Sequence, residues 1–450
     1  MIIMGNILYN IKKDIGLITG KLVLKALNMT NKSGTALPGN IALKIHKEIL
    51  KDIRKSADTI ILITGTNGKT TSNNLTNHIL RDENIVLSNL MGANMIQGIV
   101  SSYIKDTKDH YDYGVFEVDE GSMPRVIKDL KPDYILVTNF FRDQLDRYGE
   151  IEEIVDEVRK SIKQVPTATL ILNADDPYVN TYTKLENEVV KYSVKSDDLE
   201  GNNLCLKNCP LCGSKLDYKT YNYGNLGEYE CAKCLFSNGK RDYIVQKHIK
   251  KENKQEITLK TYDNIINITF PYIGTYNTYN VCGVYALCDT LNIKPQIIEK
   301  QMANFHFSLG RMEDMTYNNK TIKIVLTKNP IGLSESIKLI SNDNQKKSIL
   351  QILNDNPADG QDTSWIWDGD MTIKNQDTIL NYYCSGIRAE EMALRVKYTE
   401  VSEDKIIIND DFKNAIDTAI EDDVDILYVL PTYTAIFKTR DYIEKITKGD

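Results

Sequence analysis

The chain has 450 residues, 42% hydrophobic and 26% charged, an ordinary soluble composition that is too long for one core, so two or three domains are expected. Its 55 basic and 62 acidic side chains leave a formal charge of -7, the wrong sign for a broad nucleic-acid footprint and better suited to a small ligand or protein partner. Eight cysteines are too few for a disulfide scaffold and no apolar run reaches bilayer-spanning length, so reduced thiols in a cytoplasmic setting are expected.

Residues 1–55 read as lead-in helices broken by a turn at SGTALPGN, where Gly34, Pro38, Gly39 and Asn40 cluster. The opening MIIMGNILYN meets Lys12, Lys13 and Asp14 before any long apolar core forms, which argues against a secretory signal. From Thr59, short apolar runs alternate with helical patterns: TIILITG, YGVFEVD, YILVTNF and ATLILNAD. Runs apolar on both faces suit a buried parallel sheet, so residues 56–314 read as an α/β domain. That pattern breaks between about Ser196 and Gly239, where Asn, Gly, Lys and paired cysteines dominate, and an inserted module of about 200–240 is expected. Strand-like EITLKTY and NIINITF follow, then helical NVCGVYALCDTL and PQIIEKQMANF. After GRMED, the runs TIKIVLT, KSILQIL, TILNYYC, KIIIND and DILYVLP mark a second α/β domain, residues 315–450.

Within TIILITGTNGKTTSNNLTNHIL a strand, a glycine-bearing turn and a helix follow one another directly, the context that gives a phosphate loop its meaning. Gly65, Thr66, Asn67, Gly68, Lys69, Thr70 and Thr71 form the loop. Its glycines let backbone amides approach phosphates and the helix start adds partial positive charge, while Lys69 can bridge the outer phosphates and Thr70 can meet Mg²⁺. The spacing is shorter than GxxxxGK[ST], because Ile63 stands where the first glycine would be. ATP is the expected ligand. The bland alternative is a glycine-rich turn with a solvated lysine.

Cys209 and Cys212 precede Cys231 and Cys234 by 18 intervening residues, a C-x₂-C…C-x₂-C spacing that presents four thiolates to Zn²⁺. Four thiolates close a tetrahedral shell, so a structural staple is expected, not a catalytic centre. Cys205 lies outside the spacing, and Cys282, Cys288 and Cys384 read as small buried hydrophobes.

GTNGKTT resembles the phosphate loop of the Mur ligase superfamily, the amide-forming ligases of peptidoglycan stems and folate polyglutamates. TNFFRDQLDRYGE, LNADDP and GTYNTYN agree with that resemblance in order. SGTALPGNIALKI, EVDEG, SLGRMED, KNPIG, NDNPADGQDTSWIWDGD, SGIRAEEMALRVKY and VLPTYTA narrow it to the MurT family, ligase subunits of lipid II isoglutaminyl synthase. The resemblance implies a central P-loop ATPase domain with an inserted zinc ribbon and a C-terminal Rossmann-like α/β domain. It implies Glu117 as a Mg²⁺ ligand beside Thr70, and nucleotide contacts from Asn277, Asn280 and Arg311. Hard oxygen ligands suit Mg²⁺ and Asn amides suit a base edge, although an exposed strand-end Glu and helix-capping Asn residues are the plainer alternatives. Gln144 stands where stem ligases commonly carry a metal-binding His, which leaves one or two Mg²⁺ ions open.

Amidating a carboxylate with ATP calls for an acyl phosphate and a protected supply of ammonia. None of the five His sits in a local setting that suggests a glutaminase pair with a Cys, so a separate, GatD-like glutaminase subunit is implied. The resemblance further implies that this chain lends an Asp to orient the partner's His. Asp359 in the ADG turn is the first choice and Asp355 the alternate, although acidic residues in Gly-Pro turns are commonly turn formers. The expected reaction is amidation of the α-carboxylate of D-glutamate in the lipid II stem peptide, in a cleft between the domains, at the inner membrane face. A stand-alone amino-acid ligase of the folylpolyglutamate type is the alternative, and a non-enzymatic nucleotide-switched or nucleic-acid-binding module a third.

Overall fold

The computed structural model describes residues 2–29, 34–89, 93–106, 108–141, 151–196, 206–251, 254–306, 313–373 and 375–448, with side chains from Leu8 onward except that of Glu313. The chain divides into two compact units, the first ending at Phe305 and the second running from His306.

In the first unit, strands β1 (Ala57–Thr64), β2 (Val86–Ser88), β3 (Tyr111–Glu117), β4 (Tyr134–Val137), β5 (Thr169–Asn173) and β6 (Val189–Val194) are mutually parallel. Strands β9 (Tyr243–Lys251), β10 (Lys254–Lys260) and β11 (Ile265–Phe270) add an antiparallel meander beyond β6, giving the order β11-β10-β9-β6-β5-β4-β1-β3-β2. The apolar run of β1 explains its central place. Ile60, Ile61, Leu62 and Ile63 are all fully buried, on both faces, each contributing about 1.5–3 kcal/mol relative to exposure. Helix Lys69–Leu80 follows β1 directly and helix Thr275–Thr290 packs close to it.

Strands β7 (Asp217–Tyr221) and β8 (Gly227–Glu230) form a separate hairpin inside the cysteine segment. EITLKTY and NIINITF lie in β10 and β11, where they extend the main sheet.

Helices Ile2–Met29, Leu37–Ile45 and Ile49–Ser56 precede β1. Pro38 and Gly39, expected in a turn, occupy the first turn of the second of these. Proline fits there because its missing N–H would have no intrahelical acceptor.

The second unit holds a six-stranded sheet of β12 (Glu313–Tyr317), β13 (Lys320–Ile324), β14 (Lys347–Ile352), β15 (Ile379–Ser385), β16 (Ile406–Ile408) and β17 (Ile426–Pro431). Its order is β12-β13-β17-β14-β15-β16, parallel throughout except for the edge pair β12/β13. Helices cover both faces, as parallel sheets require, with separate apolar clusters on the two sides.

Candidate functional site

The phosphate loop bridges the end of β1 and helix Lys69–Leu80. Gly68, the residue before the helix, has φ +86, a left-handed conformation that glycine adopts without a Cβ penalty. A Cβ there would also lie 2.2 Å from Asn280 Oδ1, so side-chain-free backbone is needed twice over. The loop is anchored from β4. Asn139 O accepts from Thr66 N at 2.7 Å, Asn139 Oδ1 accepts from Asn67 N at 2.9 Å, and Asn139 Nδ2 donates to Asn67 O at 3.1 Å. Thr66 Oγ1 accepts from Phe141 N at 3.1 Å. With Thr66 and Asn67 fixed in this way, an anion would be met chiefly by the helix start, where first-turn amides lack intrahelical acceptors. Asn139 is a positioning residue that sequence reasoning missed, although it stands in the TNFF segment.

Lys69 is buried and donates to Glu120 Oε2 at 3.0 Å, to Thr66 O at 3.3 Å and to Gly65 O. Burial works against its charge, but Glu120, Asp119 and Glu117 outweigh it and raise the lysine's pKa. Lys69 is therefore a fixed cation facing an acidic edge. Glu120 was missed as an individual residue; its signal was the second glutamate of EVDE.

Glu117 ends β3 opposite Ile63 of β1, two residues before the loop opens at Gly65. Its backbone is clamped by Asn89, whose Oδ1 accepts from Glu117 N at 2.9 Å and whose Nδ2 donates to Glu117 O at 2.8 Å. The side chain is 2% exposed; Asn94 Nδ2 reaches Oε1 at 3.4 Å, and Oε2 is buried without a protein partner. A buried carboxylate oxygen left in this way costs free energy unless something meets it. A hard cation fits that oxygen by donor chemistry.

Two further expected residues come from helix Thr275–Thr290. Asn280 stands against Gly68, and Ser72 Oγ donates to its Oδ1 at 3.5 Å. Asn277 is fully buried; its Nδ2 donates to Ile273 O at 2.9 Å, while its Oδ1 has no protein partner. Arg311 and Gln144 lie outside the described residues. Below the loop, LNADDP supplies a buried carboxylate pair. Asp176 accepts from the N–H groups of Phe140, Tyr178 and Val179; Asp175 accepts from Val194 N, the Tyr279 hydroxyl and Asn238 Nδ2. Burial pushes their pKa values up to about 7 and about 6, partly offset by those donors. They tie β4, β5, β6, the cysteine segment and helix Thr275–Thr290 together.

The four expected cysteines converge. Their sulfurs lie within 4.8 Å of one another, with Cys209 and Cys234, and Cys212 and Cys231, each 3.6 Å apart. Such separations are far beyond a disulfide bond and match the edges, about 3.8 Å, of a tetrahedron with Zn–S bonds of about 2.3 Å. Each pair sits on a tight turn: Gly213 N donates to Cys209 O at 2.8 Å and Leu235 N to Cys231 O at 2.8 Å. The donor set and spacing fit Zn²⁺. No other described cysteine joins them; Cys282, Cys288 and Cys384 are buried, and burial pushes their thiols up.

In the second unit the acidic loop after β14 is tied down by residues from elsewhere in that unit. Asp359 is 4% exposed; Oδ1 accepts from Thr434 N at 2.7 Å, and Oδ2 accepts from the Thr434 hydroxyl and, at 3.5 Å, from Asn356 Nδ2. Asp355 pairs with Arg388, whose Nε donates to Asp355 Oδ2 at 2.7 Å. Trp365 is buried in the core beside this loop, whereas Trp367 is half exposed with Arg395 over its ring at 5.4 Å.

Residues 63–209 match the family of the Mur ligase middle domain, and residues 326–436 that of the MurT ligase C-terminal domain. The MurT subunit of the glutamine-hydrolysing lipid II isoglutaminyl synthase of Staphylococcus aureus (strain COL) is 34% identical over 95% of this chain and 97% of its own. The corresponding Streptococcus pneumoniae subunit is 33% identical over 96% and 97%. Among solved structures, a pseudomurein peptide ligase type C from Methanothermus fervidus has a TM-score of 0.69 at 23% identity, covering 88% of this chain and 81% of its own. A MurF ligase from Thermotoga maritima in complex with ADP has a TM-score of 0.63 at 15% identity, covering 89% and 84%. The structural likenesses establish a Mur ligase-type α/β fold with central and C-terminal domains, and the full-length sequence likeness establishes more: the chain belongs to the MurT family of ATP-dependent Mur-type ligases.

Proposed function

We propose that this chain is the ligase subunit of a glutamine-dependent amidotransferase that converts the α-carboxylate of D-glutamate in the lipid II stem peptide to D-isoglutamine. The observation that carries the chemistry is the buried, unpartnered Glu117 Oε2 beside a phosphate loop whose lysine is held charged. Thr70 and Glu117 would hold Mg²⁺, which would offset phosphate charge. The loop of residues 65–71 would hold the phosphates, with Lys69 shared between Glu120 and the outer phosphate. Asn277, Asn280 and Arg311 would contact the nucleotide.

The carboxylate would attack the γ-phosphorus and release ADP. Ammonia would then add to the acyl phosphate carbon, expel inorganic phosphate and lose a proton. Lys69 meets the charge that develops on the transferring phosphoryl group. Ammonia would come from a GatD-like partner. Outside the four-cysteine cluster, the described thiols Cys282, Cys288 and Cys384 are buried and pushed up, which does not suit a nucleophile, since the thiolate is the reactive form. Asp359, with Asp355 as alternate, would orient the partner's His. The cysteine cluster would hold structural Zn²⁺. A lipid-linked acceptor would be met at the inner membrane surface; no helix among the described residues is long and apolar enough to cross a membrane.

The test combines the chain with ATP, Mg²⁺ and lipid II, with ammonium or with glutamine. Amide formed with ammonium alone, and with glutamine only after a GatD-like partner is added, supports the proposal. Amide formed in neither condition with partner present contradicts it.

A further inference from the structure

Helix Ile2–Met29 carries an apolar seam that the ligase chemistry does not use. Leu8, Ile11, Ile15, Ile18 and Leu22 follow one another at spacings of three and four and are 48–63% exposed, and Met29 continues the line. Such spacing places them on one face. The opposite face is the one docked on the protein. Gly20 packs so closely that a Cβ there would lie 2.6 Å from Ile104 Cδ1, and the Tyr9 hydroxyl donates to Asp52 Oδ1 at 2.8 Å. The helix is thus anchored on one side and apolar on the other. Six large apolar side chains held in a line toward solvent mark a contact surface, not scattered surface residues.

Charge selects the occupant. The helix contains Lys12, Lys13, Lys21 and Lys25 against Asp14 as its one acid, on a chain whose formal charge is -7. Lys13 turns inward to Asp52, with 3.7 Å between the charged atoms, while Lys12, Lys21 and Lys25 are exposed and flank the seam. An apolar strip bordered by lysines fits an interface with apolar interior and anionic rim. Pairing with a second copy would set lysine against lysine, whereas a self-pairing helix usually carries both signs beside its seam.

We propose that the face Leu8–Ile11–Ile15–Ile18–Leu22 lies in the plane of an anionic lipid bilayer and holds the chain at the surface where a lipid-linked acceptor resides. The inference takes from the proposed function only the lipid-linked acceptor. Binding to vesicles is measured without ATP or acceptor, so failure of either reading leaves the other standing.

The experiment sediments the full chain with vesicles of phosphatidylglycerol and phosphatidylcholine, or of phosphatidylcholine alone, and determines its mass by light scattering. The wild-type chain should partition onto the anionic vesicles. The pair Ile15→Asp with Ile18→Asp should lower that partition at least about tenfold without changing the melting temperature, because both positions face solvent. The triple change Lys12→Gln, Lys21→Gln, Lys25→Gln retains the seam and should weaken anionic binding by about fivefold per lysine, with a shallower salt dependence. Three results would overturn the proposal: no partition of the wild-type chain, equal partition of the Asp variant, or a wild-type dimer that the Asp variant splits while neither binds vesicles.

Discussion

The phosphate loop of the first unit and the acidic loop of the other unit are built on opposite principles. Around the phosphate loop, polar atoms are buried and left open: Glu117 Oε2 and Asn277 Oδ1 have no protein partner. In the loop after β14, Asp359 is held by Thr434 and Asn356, and Asp355 by Arg388. A small ligand that enters a buried site must find its hydrogen-bonding groups already aimed and unsatisfied, because a buried orphan costs about 1–3 kcal/mol until it is met. A side chain that serves a protein partner can keep its internal bonds and present only its remaining lone pairs. The phosphate site is therefore visible as a deficit, while the acidic loop has the bonding of an ordinary ordered turn.

The largest effect that would sharpen this contrast is on turnover. Lys69→Ala should lower ATP-dependent amidation by about 10²–10³-fold, measured by ADP release, with both ammonium and glutamine as nitrogen source. Asp359→Asn should spare the ammonium reaction and reduce the glutamine reaction with partner by about 10²-fold. If Asp355→Asn has that selective effect instead, the assignment moves to Asp355. Loss of both reactions in either variant would mean that this loop shapes the ligase unit itself.

A third prediction concerns the cysteines. Cys231→Ser, at a fully buried position, should take zinc content by metal analysis from about one ion per chain to near zero and lower the melting temperature by on the order of 10 °C. Gly68→Ala should weaken ATP affinity by about 5- to 150-fold, as strain of about 1–3 kcal/mol at a left-handed position in contact with Asn280 requires. The smallest effect is on pH dependence. Asp175 and Asp176 keep their protons to about pH 6 and 7 when folded but release them near pH 4 when unfolded. Their contribution is therefore full below about pH 4 and is lost as pH rises through 6 to 7. The wild-type melting temperature should fall more steeply between pH 5 and 8 than that of Asp176→Asn.

What was legible in the sequence is what is local in the chain. The strand, the glycine turn and the helix that frame Gly65 to Thr71 were read from adjacent residues, and all three are present. The cysteines are likewise two short turns, and they do converge. The expected Mur ligase-type α/β architecture with central and C-terminal domains also stands. Long-range partners were not legible. Glu120 meets Lys69 across 51 residues and Asn139 meets Asn67 across 72, and neither residue differs in type from many exposed ones. The choice between Asp355 and Asp359 could not be read because their surroundings are set by Arg388 and Thr434, 33 and 75 residues away. Strand β9 is apolar only at its start, where Tyr243 and Val245 are buried beside β6; Gln246, Lys247, His248, Lys250 and Lys251 leave the rest without the apolar density that revealed β1. The seam on helix Ile2–Met29 was in plain view, but its exposure depends on which face docks.

In the proposed function the orphaned carboxylate and the charged lysine serve acyl activation for ammonia. The most direct measurement is ADP release by the chain with lipid II as acceptor, with and without ammonium, in the wild type and in Glu117→Gln. ADP should form in equal amount to amide, depend on ammonium and fall at least about 10²-fold in Glu117→Gln. Release of ADP with a free amino acid but none with ammonium, or an unchanged rate in Glu117→Gln, would contradict it.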